Sequence, residues 1–138
     1  DIHAHLFYTF FTSAARSVIA DDLCLPSGVT TVADAGTSGA DTFEDFLALL
    51  GKDRSNTKVR VFMFLNIAST GMNEGEQDPR NFSVSKAVQT ARRHPDRIVG
   101  FKTAHYWTSQ PYDALPLANG RLWALGQEHR NAAGDSRQ

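Results

Sequence analysis

The sequence predicts an α/β fold built from consecutive βα units, a partial (β/α)₈ barrel of about four units with parallel strands, or the same units in an open doubly wound sheet. Four short apolar segments recur at regular intervals, and each is followed by a polar loop or a helical pattern. The chain has 138 residues, 41% of them hydrophobic and 21% charged, which is typical of a soluble domain with one core. Periodicity alone does not choose between barrel and open sheet.

The four predicted strands lie at residues 1–5, 29–34, 59–67 and 97–102. The second is rich in β-branched residues and is ended by Gly36 and Gly39. The third is almost continuously apolar, as expected for a strand covered on both faces.

Two helices are predicted between these strands. The first begins with a capping-box spacing between Asp41 and Glu44 and ends before Gly51. The second spans residues 84–94, and its cationic last turn suits the helix dipole, which gives His94 a structural role. The connection at residues 68–82 is longer than usual, which favours a functional loop.

Charge and cysteine content exclude several function classes. A net charge of −1 gives no electrostatic case for nucleic acid or for an anionic membrane, so the expected partner is a small-molecule substrate. Cys24 is the only cysteine, and no segment resembles a signal peptide or a membrane span, so we expect a cytoplasmic protein. The sequence does not decide whether the chain forms a homo-oligomer.

The opening segment Asp-Ile-His-Ala-His is the most informative motif. Side chains alternate along a strand, so His3 and His5 share a face and can converge on one divalent metal ion. Asp1 lies on the same face, where its carboxylate could accept an imidazole N–H. The alternative is a pair of polar histidines in an exposed strand.

In parallel units the C-terminal strand ends form one face, where chemistry is done. Five polar residues map to that face: His3, His5, Asp34, Asn66 and Lys102. We interpret Asp34 as a structural hydrogen-bonding residue. A buried lysine is costly unless paired or neutral, and a neutral amine at Lys102 could react with carbon dioxide to form a carbamate that bridges two metal ions. The alternative is a lysine that extends past the strand end to solvent.

Four blocks together carry a family resemblance. They are the opening pentapeptide, Ser-Gly-Val-Thr-Thr-Val-Ala-Asp-Ala-Gly at 27–36, Phe-Leu-Asn-Ile at 64–67 and Ile-Val-Gly-Phe-Lys at 98–102. In order and spacing they resemble the N-terminal half of the amidohydrolase superfamily, in its dihydroorotase-like and deacetylase branch. The resemblance covers residues 1–113 and implies a (β/α)₈ barrel.

The resemblance also implies a metal centre. It implies that His3 and His5 bind one of two divalent ions, most commonly zinc, and that a carboxylated Lys102 bridges both. The implied reaction is attack of a metal-activated hydroxide on an amide or ester carbonyl, in an N-acyl, O-acetyl or cyclic amide substrate. Imidazole and carboxylate ligands also accept manganese, iron or cobalt.

The family's remaining metal ligands and its proton-shuttling aspartate lie on later strands. A complete barrel takes about 250 residues, so we expect little activity from this chain alone. His105 and Tyr106, in the loop after Lys102, are candidates for substrate or outer-shell contacts, together with Asp1 and Asn66. Residues 114–138 lack helical or strand periodicity, which predicts a poorly ordered tail and suggests a shifted reading frame.

Two competing hypotheses remain at this level. One is a small open-sheet α/β binding or regulatory module in which the histidines are incidental, and it predicts no stoichiometric zinc. The other is a frame-shifted product whose exposed strand edges would promote aggregation.

Overall fold

The computed structural model describes residues 1–7, 17–52, 57–73, 76 and 78–103. Within these residues the helices are α1 (Ala20–Cys24), α2 (Phe43–Lys52) and α3 (Val84–Arg93), and the strands are β1 (Thr31–Gly39), β2 (Arg60–Asn66) and β3 (Ile98–Lys102). A short 3₁₀ helix, Pro79–Asn81, precedes α3. From β1 onward, strands and α-helices alternate along the chain, as the sequence predicts.

The three strands form a parallel sheet in the order β1-β2-β3. Asn66 of β2 is the register partner of Lys102 on β3, and Gly39 of β1 is the partner of Asn66. The C-terminal ends of the strands therefore meet at one edge. This confirms the predicted α/β fold with parallel strands.

The opening pentapeptide lies beside β1 in a parallel arrangement. The Ala4 N–H donates to the Ala33 carbonyl at 3.1 Å, the Ala35 N–H donates to the Ala4 carbonyl at 2.7 Å, and the Ala33 N–H donates to the Asp1 carbonyl at 2.9 Å. The segment is less regular than the predicted strand, because its only β-bridge among the described residues joins Ala4 to Asp34. It still brings the two histidines alongside the end of β1.

Strand β1 extends further than predicted. It continues past Asp34 to Gly39, and its register with β2 shifts between Ala35 and Gly39. Gly36 has a φ of 80°, a left-handed conformation that glycine adopts without steric cost, so this residue interrupts the ladder without ending the strand.

Helix α2 also departs from its predicted ends. It includes Gly51, and the Asp41 carboxylate is engaged by the Lys86 ammonium at 2.7 Å. Helix α3 ends at Arg93, one residue before the predicted end, with His94 at its C-cap. Nε2 of His94 donates to the Glu44 carboxylate at 2.8 Å, and the ring packs against Phe43, which agrees with a structural role.

The core lies between the sheet and the helices. Phe43 and Phe46 of α2 are fully buried, and Phe7 stacks on Phe46 with ring centroids 5.1 Å apart. On β2 the burial alternates: Val61, Met63 and Leu65 are buried, whereas Phe62 and Phe64 are only half-buried. The prediction that this strand is covered on both faces is therefore wrong for the described part of the chain, because only the helix-facing side is fully covered.

None of the helices in the described ranges has the length and apolar character needed to cross a membrane.

Candidate functional site

The two histidines of the opening segment lie next to each other at the C-terminal edge of the sheet. Their ring centroids are 5.5 Å apart, and the ring planes are nearly perpendicular. His3 is exposed and His5 is half-buried. Two imidazoles at this separation can approach one ion from different directions.

The ring of His5 is held from one side by Thr37. Nδ1 of His5 lies 2.9 Å from Oγ1 of Thr37, a fully buried residue in the C-terminal part of β1. Partial burial lowers the pKa of His5, and the nearby charges of Lys102 and His3 lower it further. His5 is therefore biased toward the neutral imidazole, which is the form that binds metals.

The lowered pKa of His5 predicts a pH dependence of stability for the metal-free chain. Between the folded-state pKa and the ordinary value of 6.5, the unfolded chain binds more protons, so stability rises with pH. The stability that the lowered pKa of His5 contributes is fully present above pH 6.5, and it is lost as the pH falls through the folded-state pKa of His5. Urea midpoints measured in EDTA should show this loss in the wild type, and His5→Gln should abolish that part of the pH dependence. Parallel curves for the two proteins would contradict the expectation.

Lys102 ends β3, but its side chain reaches across β2 to β1. Its Nζ donates to the Ala35 carbonyl at 3.0 Å, and Ala35 is in turn bonded to Ala4 of the opening segment. The amine therefore points toward the histidine-bearing segment, and its charge acts on His5. The sequence alternative of a lysine extending away to solvent does not describe this structure.

Gly36 provides the space through which the Lys102 side chain passes. A Cβ at Gly36 would lie 2.5 Å from Cγ and 2.6 Å from Cβ of Lys102. Real side chains essentially never approach that closely, so any larger residue would displace the lysine stem.

Gly36→Ala is therefore expected to destabilise the chain by more than its backbone strain alone. A left-handed non-glycine residue costs about 1–2 kcal/mol, and the collision with Lys102 should add about 1–3 kcal/mol. Gly28→Ala is the matched control, because Gly28 has a similar φ of 74° with nothing within 4 Å of its added Cβ. Chemical unfolding of both variants should separate the cost of backbone strain from the cost of the collision with Lys102. Equal losses in the free energy of unfolding would show that Lys102 does not occupy the space above Gly36.

Asp34 lies beneath the site as a fully buried carboxylate. It accepts hydrogen bonds from the Leu6 N–H at 2.8 Å, the Thr37 N–H at 2.7 Å and the Thr37 hydroxyl at 2.9 Å. Burial raises the pKa of Asp34, although these hydrogen bonds oppose the shift. The structural interpretation of Asp34 agrees with these contacts.

Asn66 is buried at the end of β2 and links three segments. Its amide nitrogen donates to the Gly36 carbonyl at 3.0 Å and to Glu76 Oε2 at 3.1 Å, and its oxygen accepts from the Ala68 N–H at 3.0 Å. Asn66 thus connects β1 to the long connection that follows β2. These bonds position the loop and use both polar atoms of the amide.

Asp1 is placed differently from the prediction. Its Oδ1 accepts a hydrogen bond from the backbone N–H of His3 at 3.0 Å, not from an imidazole N–H. The imidazole N–H acceptor that Asp1 was expected to provide is instead the Thr37 hydroxyl, which bonds the ring of His5. The sequence did not predict the role of Thr37, although an aspartate carboxylate that accepts from a backbone N–H shortly after it, as Asp34 does from Thr37, is a common local pattern.

The remaining candidates, His105 and Tyr106, lie outside the described residues, as do residues 114–138. Within the described ranges, no three His, Cys, Asp or Glu side chains group closely enough to hold a metal ion. The described site is thus an imidazole pair with a lysine directed toward it.

Comparisons with known proteins agree with the fold of the chain. A deacetylase from Enterococcus faecalis is 31% identical over 104 residues, which is 74% of this chain and 26% of that protein. Among solved structures, an adenine deaminase superposes with a TM-score of 0.74 at 25% identity, covering 94% of this chain and 34% of its own. A dihydroorotase superposes with a TM-score of 0.70 at 22% identity, and the superposition covers 91% of this chain and 34% of the dihydroorotase chain. No protein-family model matches the chain. The chain therefore spans about a quarter to a third of the proteins that it resembles.

Proposed function

Because the chain belongs to the amidohydrolase superfamily in sequence and fold, we propose that it forms the N-terminal, metal-binding part of a hydrolase acting on carbon–nitrogen or ester bonds. The observation that carries the proposal is the pairing of His3 with His5, with their ring centroids 5.5 Å apart, at the strand ends to which the Lys102 amine is also directed.

The residues present suit a divalent metal ion. His5 is biased toward the neutral form, and its Nδ1 is already bonded to Thr37, which leaves Nε2 as the nitrogen for a metal. This arrangement, with one ring nitrogen held by an outer partner, is general among metal-binding histidines. Zinc is the expected ion, and two ions are expected if Lys102 carries a carbamate.

Each residue has a distinct part in the proposed site. His3 and His5 would hold the ion. The neutral form of the Lys102 amine would form a bond to the carbon of carbon dioxide and release one proton, giving a carbamate whose single negative charge is shared by two oxygens. Divalent ions bound there would activate water and polarise the substrate carbonyl. Asp34 is not the proton-transferring group, since its carboxylate is already occupied by Leu6 and Thr37.

Substrate turnover requires more than the described site. The chain spans about a third of its structural neighbours, and the described residues lack a third His, Cys, Asp or Glu ligand. We therefore propose metal binding by this chain, with the other ligands and the substrate pocket supplied by residues outside the described ranges. The proposed substrate is a small molecule with an N-acyl, O-acetyl or cyclic amide group.

Equilibrium dialysis against Zn²⁺ tests the proposal. The wild-type chain should bind zinc stoichiometrically, and His3→Ala or Lys102→Ala should weaken binding at least about tenfold. His94→Ala is the matched control, because His94 pairs with Glu44 at the end of α3 and should not affect binding. Unchanged zinc content in both the His3 and the Lys102 variants would contradict the proposal.

A second candidate is a metal-free α/β binding module. It is favoured by the lack of a three-ligand His, Cys, Asp or Glu cluster within the described ranges. It predicts that the wild-type chain binds no stoichiometric zinc in the same dialysis.

A further inference from the structure

We infer that Thr37 is a positioning residue that fixes the tautomer of His5, with the proton on Nδ1 and the lone pair on Nε2. The inference rests on the proposed function and deepens it, because it names the residue that keeps the Nε2 lone pair of His5 available for the metal. It follows from the hydrogen bonds that converge on the Thr37 hydroxyl.

The direction of these bonds is set by the buried carboxylate. Oγ1 of Thr37 lies 2.9 Å from Oδ2 of Asp34 and 2.9 Å from Nδ1 of His5. A carboxylate only accepts, so the single hydroxyl proton points to Asp34. The hydroxyl oxygen must then accept from His5, which requires a proton on Nδ1. In a neutral imidazole the lone pair is then on Nε2.

The hydroxyl has little freedom to adopt another arrangement. Thr37 is fully buried, its N–H donates to Asp34 Oδ1 at 2.7 Å, and its carbonyl accepts from the Met72 N–H at 2.9 Å. The backbone at Thr37 is therefore held from both sides. A threonine also has restricted χ1 freedom, so the hydroxyl direction follows from the backbone.

The same carboxylate also fixes the main chain next to His5. Oδ2 of Asp34 accepts from the N–H of Leu6, the residue that follows His5, at 2.8 Å. Asp34 thus holds the backbone beside His5 directly and the imidazole ring through Thr37. Both the position of the ring and its protonated nitrogen depend on one buried group.

The ¹⁵N chemical shifts of the histidine side chains test the tautomer in the intact metal-free chain, near pH 8, where imidazoles are neutral. His5→Gln identifies the His5 signals by their loss. The wild type should show the Nδ1–H tautomer at His5, and Thr37→Val should shift it toward Nε2–H. Thr37→Ser, which keeps the hydroxyl, should retain the wild-type tautomer. An Nε2–H tautomer in the wild type would overturn the inference even if Thr37→Val does not fold.

Zinc affinity then separates the inference from the proposed function. Thr37→Val should weaken zinc binding about 10–100-fold, the usual effect of losing an outer-shell partner, and Thr37→Ser should restore most of it. Unchanged affinity in a folded Thr37→Val chain that has lost the Nδ1–H tautomer would overturn the positioning role. If His5→Gln binds zinc as tightly as the wild type does, the proposed metal site is wrong. The tautomer of His5 measured in the metal-free wild type does not depend on that result.

Discussion

Replacing Asp34 with alanine is expected to lower the free energy of unfolding by at least about 3 kcal/mol. The substitution leaves the N–H groups of Leu6 and Thr37 without their acceptor in the interior, and each buried unsatisfied group costs about 1–3 kcal/mol. The Thr37 hydroxyl loses its acceptor as well. Because these bonds join the opening segment to β1, the loss should also loosen the histidine pair.

Urea unfolding followed by circular dichroism measures this effect. Asp34→Asn keeps the shape of the side chain and one acceptor oxygen, so it should lie between the wild type and Asp34→Ala. Asp41→Ala is the control, because Asp41 forms an exposed ion pair with Lys86, and such pairs contribute about 0–1 kcal/mol. If Asp34→Ala lowers the free energy of unfolding no more than Asp41→Ala does, the buried carboxylate does not hold the site together.

Gly39→Ala is expected to have a similarly large effect through steric overlap. A Cβ at Gly39 would lie 2.5 Å from the Ser69 carbonyl oxygen and 2.6 Å from the Gly71 nitrogen, with the Ala68 carbonyl oxygen nearer still. All three are backbone atoms, so no side-chain rotation relieves the overlap. The end of β1 would have to separate from the chain that follows β2, at a cost at or above the usual 1–3 kcal/mol of overpacking.

Gly51→Ala is the control, because it is expected to raise the stability that Gly39→Ala lowers. Gly51 lies near the end of α2 with nothing within 4 Å of an added Cβ. Alanine there reduces the entropy of the unfolded chain and should stabilise the protein by about 0.4–1 kcal/mol. Thermal and urea midpoints of the two variants should therefore move in opposite directions. If Gly39→Ala unfolds like the wild type, β1 and the following connection are not packed as closely as described.

The sequence predicted the fold well wherever hydrophobic periodicity was strong. The segments at 59–67 and 97–102 correspond to β2 and β3, and the periodic segment at 84–94 corresponds to α3. It did not predict that β1 continues through Gly36, because glycine is typical both of a strand end and of an interruption within a strand. The five-residue helix α1 has too few turns to show a period.

The site was predicted in part. The spacing of His3 and His5 predicted that the two imidazoles lie together, because side chains alternate along an extended segment. Parallel topology predicted that Lys102 lies at the same strand ends. The role of Thr37 was not predicted, since it requires β1 to extend past Asp34 and to lie beside the opening segment. Asp1 was assigned the wrong donor because, in an exposed segment, a carboxylate two residues from a backbone N–H can bond it directly.

Zinc K-edge X-ray absorption of the zinc-loaded chain reports the atoms around the ion, and it therefore shows whether His3 and His5 bind the same zinc ion. We expect two imidazole nitrogens at about 2.0–2.1 Å from zinc, with the imidazole scattering lost in a His3→Gln, His5→Gln double variant. A zinc shell without imidazole, or one unchanged in the double variant, would contradict the shared site of His3 and His5.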